Sequence, residues 1–317
     1  MSNRIFYKIK LPGRKKWDRM MEEKNDIKKR AAMKITVLAE NDSGVGPDGA
    51  LLEGEHGLSF FLETKEECIL LDTGKGSLFY ENARKLNIDL RKAKTIVLSH
   101  GHYDHGGGLE TALEVIPEGV VYARENVFGQ WYSFRGGDER YIGLNPKLLE
   151  KYGSRFVLIK EKKMQIAEGI YLLAHRDGDY SYYAETAALY EKTKLGFVPD
   201  GFTHEHSLII STAKGLVVFN SCSHVGIVNV IRDVQEAFAK EKIYAVLGGF
   251  HFLGKEPEKC AYSREEVREI ADYVIASEIA KVYTGHCTGK EGFGWLKDFL
   301  GARIEDFPTG KIIEIKE

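Results

Sequence analysis

The chain has few cysteines and no long hydrophobic run, and each absence excludes a class of protein. Its 317 residues include four cysteines, none in a CxxC pair, which argues against a disulfide framework and favours a reducing cytoplasm. No apolar stretch reaches the roughly 18 residues that a membrane-spanning helix needs. The N-terminus also lacks the apolar core of a signal peptide, so we expect a cytoplasmic protein.

A net positive charge is confined to the N-terminus. Residues 1–32 carry eleven Lys and Arg residues against four Asp and Glu residues, a net charge of +7, which leaves about −9 for residues 33–317. The acidic remainder argues against a track for a nucleic-acid backbone, although a basic arm could contact one. Because Met33 begins the apolar segment MKITVLA, we expect residues 1–32 to be an extension and residues 33–317 to form the folded domain.

Short apolar strands alternate with amphipathic helices beyond Met33. The predicted strands are 35–39, 58–62, 68–71, 95–98, 120–123, 156–160, 170–174, 208–211, 216–219, 243–247, 281–283 and 311–315. The predicted helices are 15–32, 78–86, 109–115, 184–192, 226–240, 264–276 and 292–300. Because the strands come in clusters between helical crossovers, we expect an α/β fold of two mixed sheets packed face to face with helices outside, an αββα sandwich.

The segment SHGHYDHGGG, residues 99–108, is the most informative part of the chain. It places His100, His102, Asp104 and His105 within six residues, directly after the apolar run TIVL. Side chains in a loop that follows a strand can converge on one point at the edge of the sheet. Three imidazoles and a carboxylate suit a transition metal, with zinc the best match and manganese or iron as alternatives.

Three strands in the second half of the chain also end in a histidine. GLVVFNSCSH contains Cys222 and His224, GGFH ends in His251, and TGHCTG contains His286. Because these strands are expected to end at the same edge of the sheet, we expect their histidines to form one site. Cys222 is a candidate thiolate contact, and His251 is either a ligand or a proton donor.

The HxHxDH pattern after a hydrophobic strand resembles the metallo-β-lactamase superfamily. The resemblance implies two metal ions: His100 and His102 hold the first, and Asp104 and His105 hold the second. It further implies that LDTG, residues 71–74, contributes an Asp that orients a ligand histidine. The remaining ligands that it implies are His224 on the first ion and His286 on the second.

The combination of LAEND, SHGHYDHGGGL, CSHVGIVN, GGFH and HCTG resembles one branch of that superfamily. The branch includes an archaeal dihydropterin-6-methyl-(ribofuranosyl)aminobenzene 5′-phosphate synthase of methanopterin assembly, and many members known only as metal-dependent hydrolases. It implies that residues 33–317 are a binuclear catalytic domain that displaces diphosphate from a pterin methyl diphosphate. The alternative is a hydrolase of a small phosphoester or other ester. A nucleic-acid processing enzyme and a non-catalytic binding module are lesser alternatives.

Candidate catalytic and substrate-binding residues follow from the same argument. Asp104 and His251 are the candidates for catalysis. Aromatic side chains interleaved with arginines suit a flat heterocycle that carries phosphate, although they also pack long loops onto a sandwich. Two stretches show this pattern: residues 124–143, with Trp131, Arg135, Arg140 and Tyr141, and residues 176–183, with Tyr180, Tyr182 and Tyr183.

The four remaining histidines have weaker cases. His204 and His206, in THEHSL, either belong to the site or support it from behind, since their spacing departs from the pattern of the superfamily. His56 and His175 stand in no motif, and we assign them no role. The expected partner is a small, phosphorylated aromatic molecule, with no membrane involved.

Overall fold

A computed structural model describes residues 33–65, 67–135, 137–175, 188–254 and 259–316. The predicted helix 15–32 and the tyrosine-rich stretch 176–183 lie outside these residues. The strands are, in chain order, β1 (Met33–Ala39), β2 (Gly44–Val45), β3 (Leu51–Leu52), β4 (Ser59–Glu63), β5 (Cys68–Leu71), β6 (Thr95–Val97), β7 (Val120–Arg124), β8 (Trp131–Ser133), β9 (Arg140–Tyr141), β10 (Phe156–Ile159), β11 (Lys163–Ala167), β12 (Ile170–Ala174), β13 (Leu189–Thr193), β14 (Gly196–Pro199), β15 (His206–Thr212), β16 (Gly215–Phe219), β17 (Ile243–Leu247), β18 (Lys281–Tyr283), β19 (Ile304–Glu305) and β20 (Ile312–Ile315).

Helices connect many of these strands. The α-helices of the described residues are α1 (Leu78–Lys85), α2 (Tyr103–Gly106), α3 (Leu109–Val115), α4 (Lys147–Tyr152), α5 (Ile227–Ala237), α6 (Arg264–Ala276) and α7 (Lys290–Leu300). Short 3₁₀ turns occur at Leu90–Lys92, Gly153–Arg155, His286–Thr288 and Gly301–Arg303. Within the described ranges, every helix is too short or too polar to cross a membrane.

Two seven-stranded sheets dominate the fold. The first has the order β10-β7-β6-β5-β4-β1-β20, and the second has the order β11-β12-β15-β16-β17-β18-β19. The neighbours from β10 to β5 are parallel, whereas β5, β4, β1 and β20 pair antiparallel. In the second sheet the pairs from β11 to β16 are antiparallel and those from β16 to β19 are parallel. Both sheets are therefore mixed, as predicted.

Three hydrophobic layers give the αββα sandwich that the sequence predicts. Phe60 of the first sheet meets Phe219 of the second between the sheets, with ring centroids 6.0 Å apart. A second layer packs α1 and α3 against the outer face of the first sheet. A third packs α5, α6 and α7 against the outer face of the second. Each large side chain buried in this way contributes roughly 1.5–3 kcal/mol.

Helix α6 shows how local sequence produces these layers. Its buried residues Val267, Ile270 and Val274 recur at helical spacing on one face. A reciprocal capping box between Ser263 and Glu266 satisfies backbone donors at its start. Its predicted bounds are confirmed. Ile275, predicted to belong to the buried face, is 39% exposed because its position is rotated away from that face.

The helix predicted over residues 184–192 is wrong in its described part. Leu189–Thr193 forms strand β13, in a hairpin with β14 and paired on its other side with β8. These strands and β9 make a small sheet in the order β14-β13-β8-β9. The backbone donors that a helix would satisfy internally are satisfied here by neighbouring strands, so tertiary pairing overrides the local pattern.

Candidate metal centre

The predicted ligands meet where parallel strands of both sheets end. Strand β6 leads into the HxHxDH loop, and β16, β17 and β18 lead into Cys222, His251 and His286. Parallel strands open their carboxyl ends at a common edge, where side chains from successive loops converge. The topology therefore brings together residues that are more than a hundred positions apart in the chain.

Glycines allow the HxHxDH loop to pack against the turn after β5. A Cβ on Gly107 would clash with the Lys75 carbonyl oxygen, and one on Gly108 would clash with the Gly76 carbonyl oxygen. The Thr73 N–H donates to the His105 carbonyl oxygen at 2.6 Å across this contact. The close approach places the carboxylate of the LDTG turn directly behind the ligand histidines.

A first cluster contains three histidines. The donor atoms of His100, His102 and His224 all lie within 4.8 Å of one another, and all three side chains are buried. The Nε2 atoms of His100 and His224 are 3.3 Å apart. His102 Nε2 has no hydrogen-bond partner among the described residues; its nearest carboxylate oxygen, on Asp200, is 3.9 Å away.

A second cluster lies beside the first. His105 Nε2 is 3.2 Å from His286 Nε2 and also 3.2 Å from the Sγ of Cys222. The Oδ2 atom of Asp104 is 3.6 Å from His286 Nε2 and 3.9 Å from His105 Nε2. These residues include every ligand that the sequence predicts for a second ion.

Hydrogen bonds behind the clusters determine which ring nitrogen faces the site. The Ser99 hydroxyl donates to Asp72 at 2.7 Å, so His100 Nδ1–H donates to Ser99 Oγ at 2.8 Å. His105 Nδ1–H donates to the same Asp72 oxygen at 2.9 Å, and His286 Nδ1–H donates to Asn41 Oδ1 at 2.9 Å. Each of these Nε2 atoms is therefore unprotonated and turned towards the neighbouring ligands.

The arrangement fits divalent metal ions. Opposed nitrogen lone pairs at 3.2 Å repel each other unless a cation lies between them. Two nitrogen ligands on one tetrahedral zinc ion, each bound at about 2.0–2.1 Å, stand about 3.3 Å apart. The separations in the two clusters match that value.

The electrostatics favour neutral forms of His100 and His224 and an ionised Asp104. Burial, and then repulsion by neighbouring histidines, lowers the pKa of His100 and that of His224 well below the usual range. Burial would raise the pKa of Asp104, but the neighbouring imidazole groups of His105, His286 and His56 outweigh it and hold this pKa well below its usual value. Neutral imidazoles and an ionised carboxylate are the metal-binding forms.

His204 and His206 support the loop from behind. His204 Nδ1 accepts the Gly101 N–H at 3.0 Å, and its Nε2–H donates to Asp200 at 3.1 Å. The donor atoms of His102, Asp200 and His204 also lie within 4.8 Å of one another. His206 Nε2–H donates to the Leu98 carbonyl oxygen at 2.8 Å.

The structure adds residues that sequence reasoning missed. His56 Nε2 is 3.2 Å from Asp104 Oδ2, and its ring centroid is 5.2 Å from that of His286. No motif surrounds His56, so only the fold reveals it. The Sγ of Cys287 is 3.4 Å from that of Cys222. In the sequence, the position of Cys287 directly after the predicted ligand His286 could have identified it.

Glu205 is a further missed residue, and it anchors the loop that carries His224. Its carboxylate accepts the His224 N–H at 3.0 Å and the Val225 N–H at 3.2 Å. Burial raises its pKa to about 7 in spite of these bonds. His175, to which we assigned no role, hydrogen-bonds Ser207 and Asp233 outside both clusters.

The metal centre opens into a cleft of about 510 Å³, including its mouth. Arg135 and Arg140, two of the predicted substrate residues, line it. Arg135 donates to His251 Nε2 at 3.1 Å and to the Leu253 carbonyl oxygen at 3.4 Å. The other described lining residues are His56, His102, Tyr103, Asp104, Ser133, Ile142, Leu189, Cys222, His224, His251, Leu253, His286 and Cys287.

The structure does not bring the other two predicted substrate residues into the described cleft lining. Trp131 is 1% exposed, and its ring packs against that of His204 with centroids 4.1 Å apart. Tyr141 donates its hydroxyl to the Leu144 carbonyl oxygen at 2.7 Å and packs on Tyr132. Both aromatic side chains hold the loop 124–143 in place.

Comparisons with known proteins identify the family of the chain. A model of the metallo-beta-lactamase superfamily matches residues 52–176. The 7,8-dihydropterin-6-methyl-4-(beta-D-ribofuranosyl)-aminobenzene-5′-phosphate synthase of Methanocaldococcus jannaschii is 30% identical over 298 residues, which are 89% of this chain and 96% of that protein. An uncharacterized protein of the same archaeon is 31% identical over 82% of this chain and 94% of its own length.

A solved structure shows the same relationship in three dimensions. The crystal structure of a metal-dependent hydrolase of the beta-lactamase superfamily has a TM-score of 0.74 and 30% sequence identity, and the match covers 90% of this chain and 100% of that one. Identity at this level over nearly whole chains accompanies a shared fold. The chain belongs to the metallo-β-lactamase superfamily, in the branch that contains the archaeal synthase, and is a metal-dependent enzyme.

Proposed function

We propose that the protein holds two divalent metal ions, with zinc as the native metal. The support is the pair of adjoining clusters, whose ring nitrogens face each other at 3.2 and 3.3 Å. When bound, the ions supply Lewis acidity that stabilises negative charge on a leaving group. The proposed ligands are His100, His102 and His224 for the first ion, and Asp104, His105 and His286 for the second.

We propose that the reaction joins an aromatic amine phosphate to the methyl carbon of a pterin. The amine nitrogen forms a bond to that carbon, the bond from the carbon to the diphosphate oxygen breaks, and the amine loses a proton. The observation that carries this proposal is the 30% identity with the archaeal synthase, which extends over 96% of that enzyme.

The cleft provides groups suited to such substrates. Arg135 and Arg140 line it together with the metal clusters, so cationic groups surround the expected place of the diphosphate. Tyr103 offers an aromatic ring for stacking against a flat pterin. His251 lines the cleft and is the candidate for receiving the amine proton.

The reaction is tested by supplying a pterin methyl diphosphate to the metal-loaded protein, with and without ribofuranosylaminobenzene 5′-phosphate. We expect diphosphate to be released only when the amine is present, with the coupled product detected by mass spectrometry. Equal release without the amine would contradict the synthase assignment.

A hydrolase of a small phosphoester is the second candidate. It is favoured by the likeness to a metal-dependent hydrolase at a TM-score of 0.74 and 30% identity. The same assay separates the two functions, because a hydrolase would cleave a generic phosphodiester rapidly and would be indifferent to the amine. The metal ions themselves are tested by elemental analysis. We expect about two ions per chain in the purified protein and fewer in His102→Ala, with His175→Gln as a control outside the clusters.

A further inference from the structure

Two sulfur atoms lie at the floor of the cleft. Cys222 and Cys287 are free, buried cysteines that line it, with their Sγ atoms 3.4 Å apart. Neither belongs to the hydrophobic clusters of the described residues. The other two cysteines, Cys68 and Cys260, do pack against those clusters. The pair in the cleft is therefore surrounded by metal-ligating side chains, where hydrophobic packing does not explain it.

Cys222 occupies the junction between the two metal clusters. Its Sγ shares one group of donors, all within 4.8 Å of one another, with His100 of the first cluster and His105 of the second. It shares another such group with His286 and Cys287. A sulfur atom in this place is within reach of ions in both clusters.

Cys287 is held with its sulfur turned towards the second cluster. The His251 N–H donates to its Sγ at 3.3 Å. Two thiolates on one tetrahedral zinc ion, each bound at about 2.3 Å, stand about 3.8 Å apart, and a thiolate and an imidazole nitrogen stand about 3.6 Å apart. The observed separations of 3.4 Å to Cys222 Sγ and 3.2 Å between Cys222 Sγ and His105 Nε2 are within a few tenths of these values.

We propose that Cys222 and Cys287 are thiolate ligands of the metal centre, Cys222 between the two ions and Cys287 on the second ion beside His286. The proposal rests on the binuclear centre of the proposed function and adds sulfur to its ligands. Thiolates are soft donors, so such a site selects zinc, cobalt or iron over magnesium and manganese.

Cobalt substitution tests this ligand set directly. Full-length protein is stripped with a chelator and reloaded with Co²⁺, and its absorption spectrum is recorded alongside its cobalt content. Thiolate ligation produces a strong near-ultraviolet charge-transfer band, whereas nitrogen and oxygen ligands produce only weak visible bands. We expect the band in the wild type, a weaker band in Cys222→Ser and in Cys287→Ser, and no band in the double variant. Cys68→Ser and Cys260→Ser are matched controls that should keep the full band.

The outcomes distinguish this proposal from the metal centre itself. Bound cobalt without the charge-transfer band would overturn thiolate ligation and leave the histidine and aspartate centre standing. A wild type that binds no cobalt would overturn both. If the serine variants fail to fold, X-ray absorption at the zinc edge of the wild-type protein decides the question. Sulfur in the first coordination shell supports the proposal, and a shell of nitrogen and oxygen alone contradicts it.

Discussion

Asp72, a single buried carboxylate, orients histidines of both metal clusters. Its Oδ1 accepts the Ser99 N–H at 2.8 Å, and its Oδ2 accepts from the Ser99 hydroxyl and from His105 Nδ1. It therefore acts on His105 directly and on His100 through Ser99. Its backbone has a φ of 58°, a left-handed conformation that costs a non-glycine residue roughly 1–2 kcal/mol. Three charge-assisted hydrogen bonds offset that cost.

We expect Asp72→Asn to weaken metal binding by about 10–100-fold, the usual effect of losing a partner of a ligand histidine. The amide can present a donor to His105 Nδ1–H where the carboxylate presented an acceptor. Competition with a chelating dye measures the affinity. Asp89→Asn, an exposed carboxylate paired with Arg91, is the control. Equal affinities in the wild type and Asp72→Asn would refute the role of Asp72.

Arg140 is a candidate for binding the diphosphate group of the substrate. It lines the cleft, and its guanidinium lies 5.8 Å from the centre of the Tyr103 ring. A charge-assisted contact contributes about 1.5–3 kcal/mol, so Arg140→Ala should raise the KM for a pterin methyl diphosphate about tenfold or more. Hydrolysis of a small, non-aromatic phosphodiester should change little. Arg264→Ala, which breaks an exposed pair with Asp298, is the control; an unchanged KM in Arg140→Ala would contradict the assignment.

At the scale of elements, His206 joins strand β15 of the second sheet to the end of β6 in the first. Its N–H donates to the Ser99 carbonyl oxygen at 3.0 Å, and its Nε2–H donates to the Leu98 carbonyl oxygen. Burial, followed by the charge of Arg124, lowers its pKa from 6.5 to about 3. The side chain is therefore neutral in the folded protein at neutral pH.

The lowered pKa predicts a loss of stability in acid. In the unfolded chain His206 binds a proton near pH 6.5, whereas in the folded chain it does so only near pH 3. The folded state is therefore fully stabilised above pH 6.5, and this contribution is lost as the pH falls towards 3. From pH 7 to pH 5 the free energy of unfolding of the wild type should fall by about 2 kcal/mol more than that of His206→Gln.

Urea denaturation of the metal-free proteins measures this difference. Glutamine keeps a donor for the Leu98 carbonyl oxygen but does not titrate, so other ionisable groups cancel in the comparison. Parallel curves of stability against pH for the two proteins would refute the account.

At the scale of the whole molecule, the first described strand, β1, and the last one, β20, pair at one edge of the first sheet. Met33 of β1 pairs with Ile315 of β20, and Ile35 pairs with Ile313. All four side chains are buried between the sheets.

We therefore expect a chain that begins at Met33 to fold and to retain its metal ions and turnover. Thermal unfolding, metal content and the rate of diphosphate release are to be compared with those of the full-length protein. A large loss of any of these would show that residues 1–32 contribute to the domain or to its site.

The sequence by itself determined the two-sheet architecture and the convergence of the histidines. Short apolar runs predict most strands of both sheets because central strands such as β1 and β16 are buried on both faces, whereas the edge strands β11 and β19 are missed. The HxHxDH loop carries its ligands within six residues. Strand ends then indicate where His224, His251 and His286 must lie. These inferences succeed because they depend on local pattern and on the common edge of parallel strands.

Only the tertiary structure decided which side chains complete the site. His56, Asp200 and Glu205 reach it from loops without a motif, and their roles follow from distances that no local pattern encodes. Trp131 and Arg135 stand on the same short stretch, yet one is buried against His204 and the other lines the cleft. Arg135 lies beyond the end of β8, where strand alternation no longer sets the direction of a side chain. Composition therefore identifies the stretch, and the path of the folded loop decides which side chain reaches the cleft.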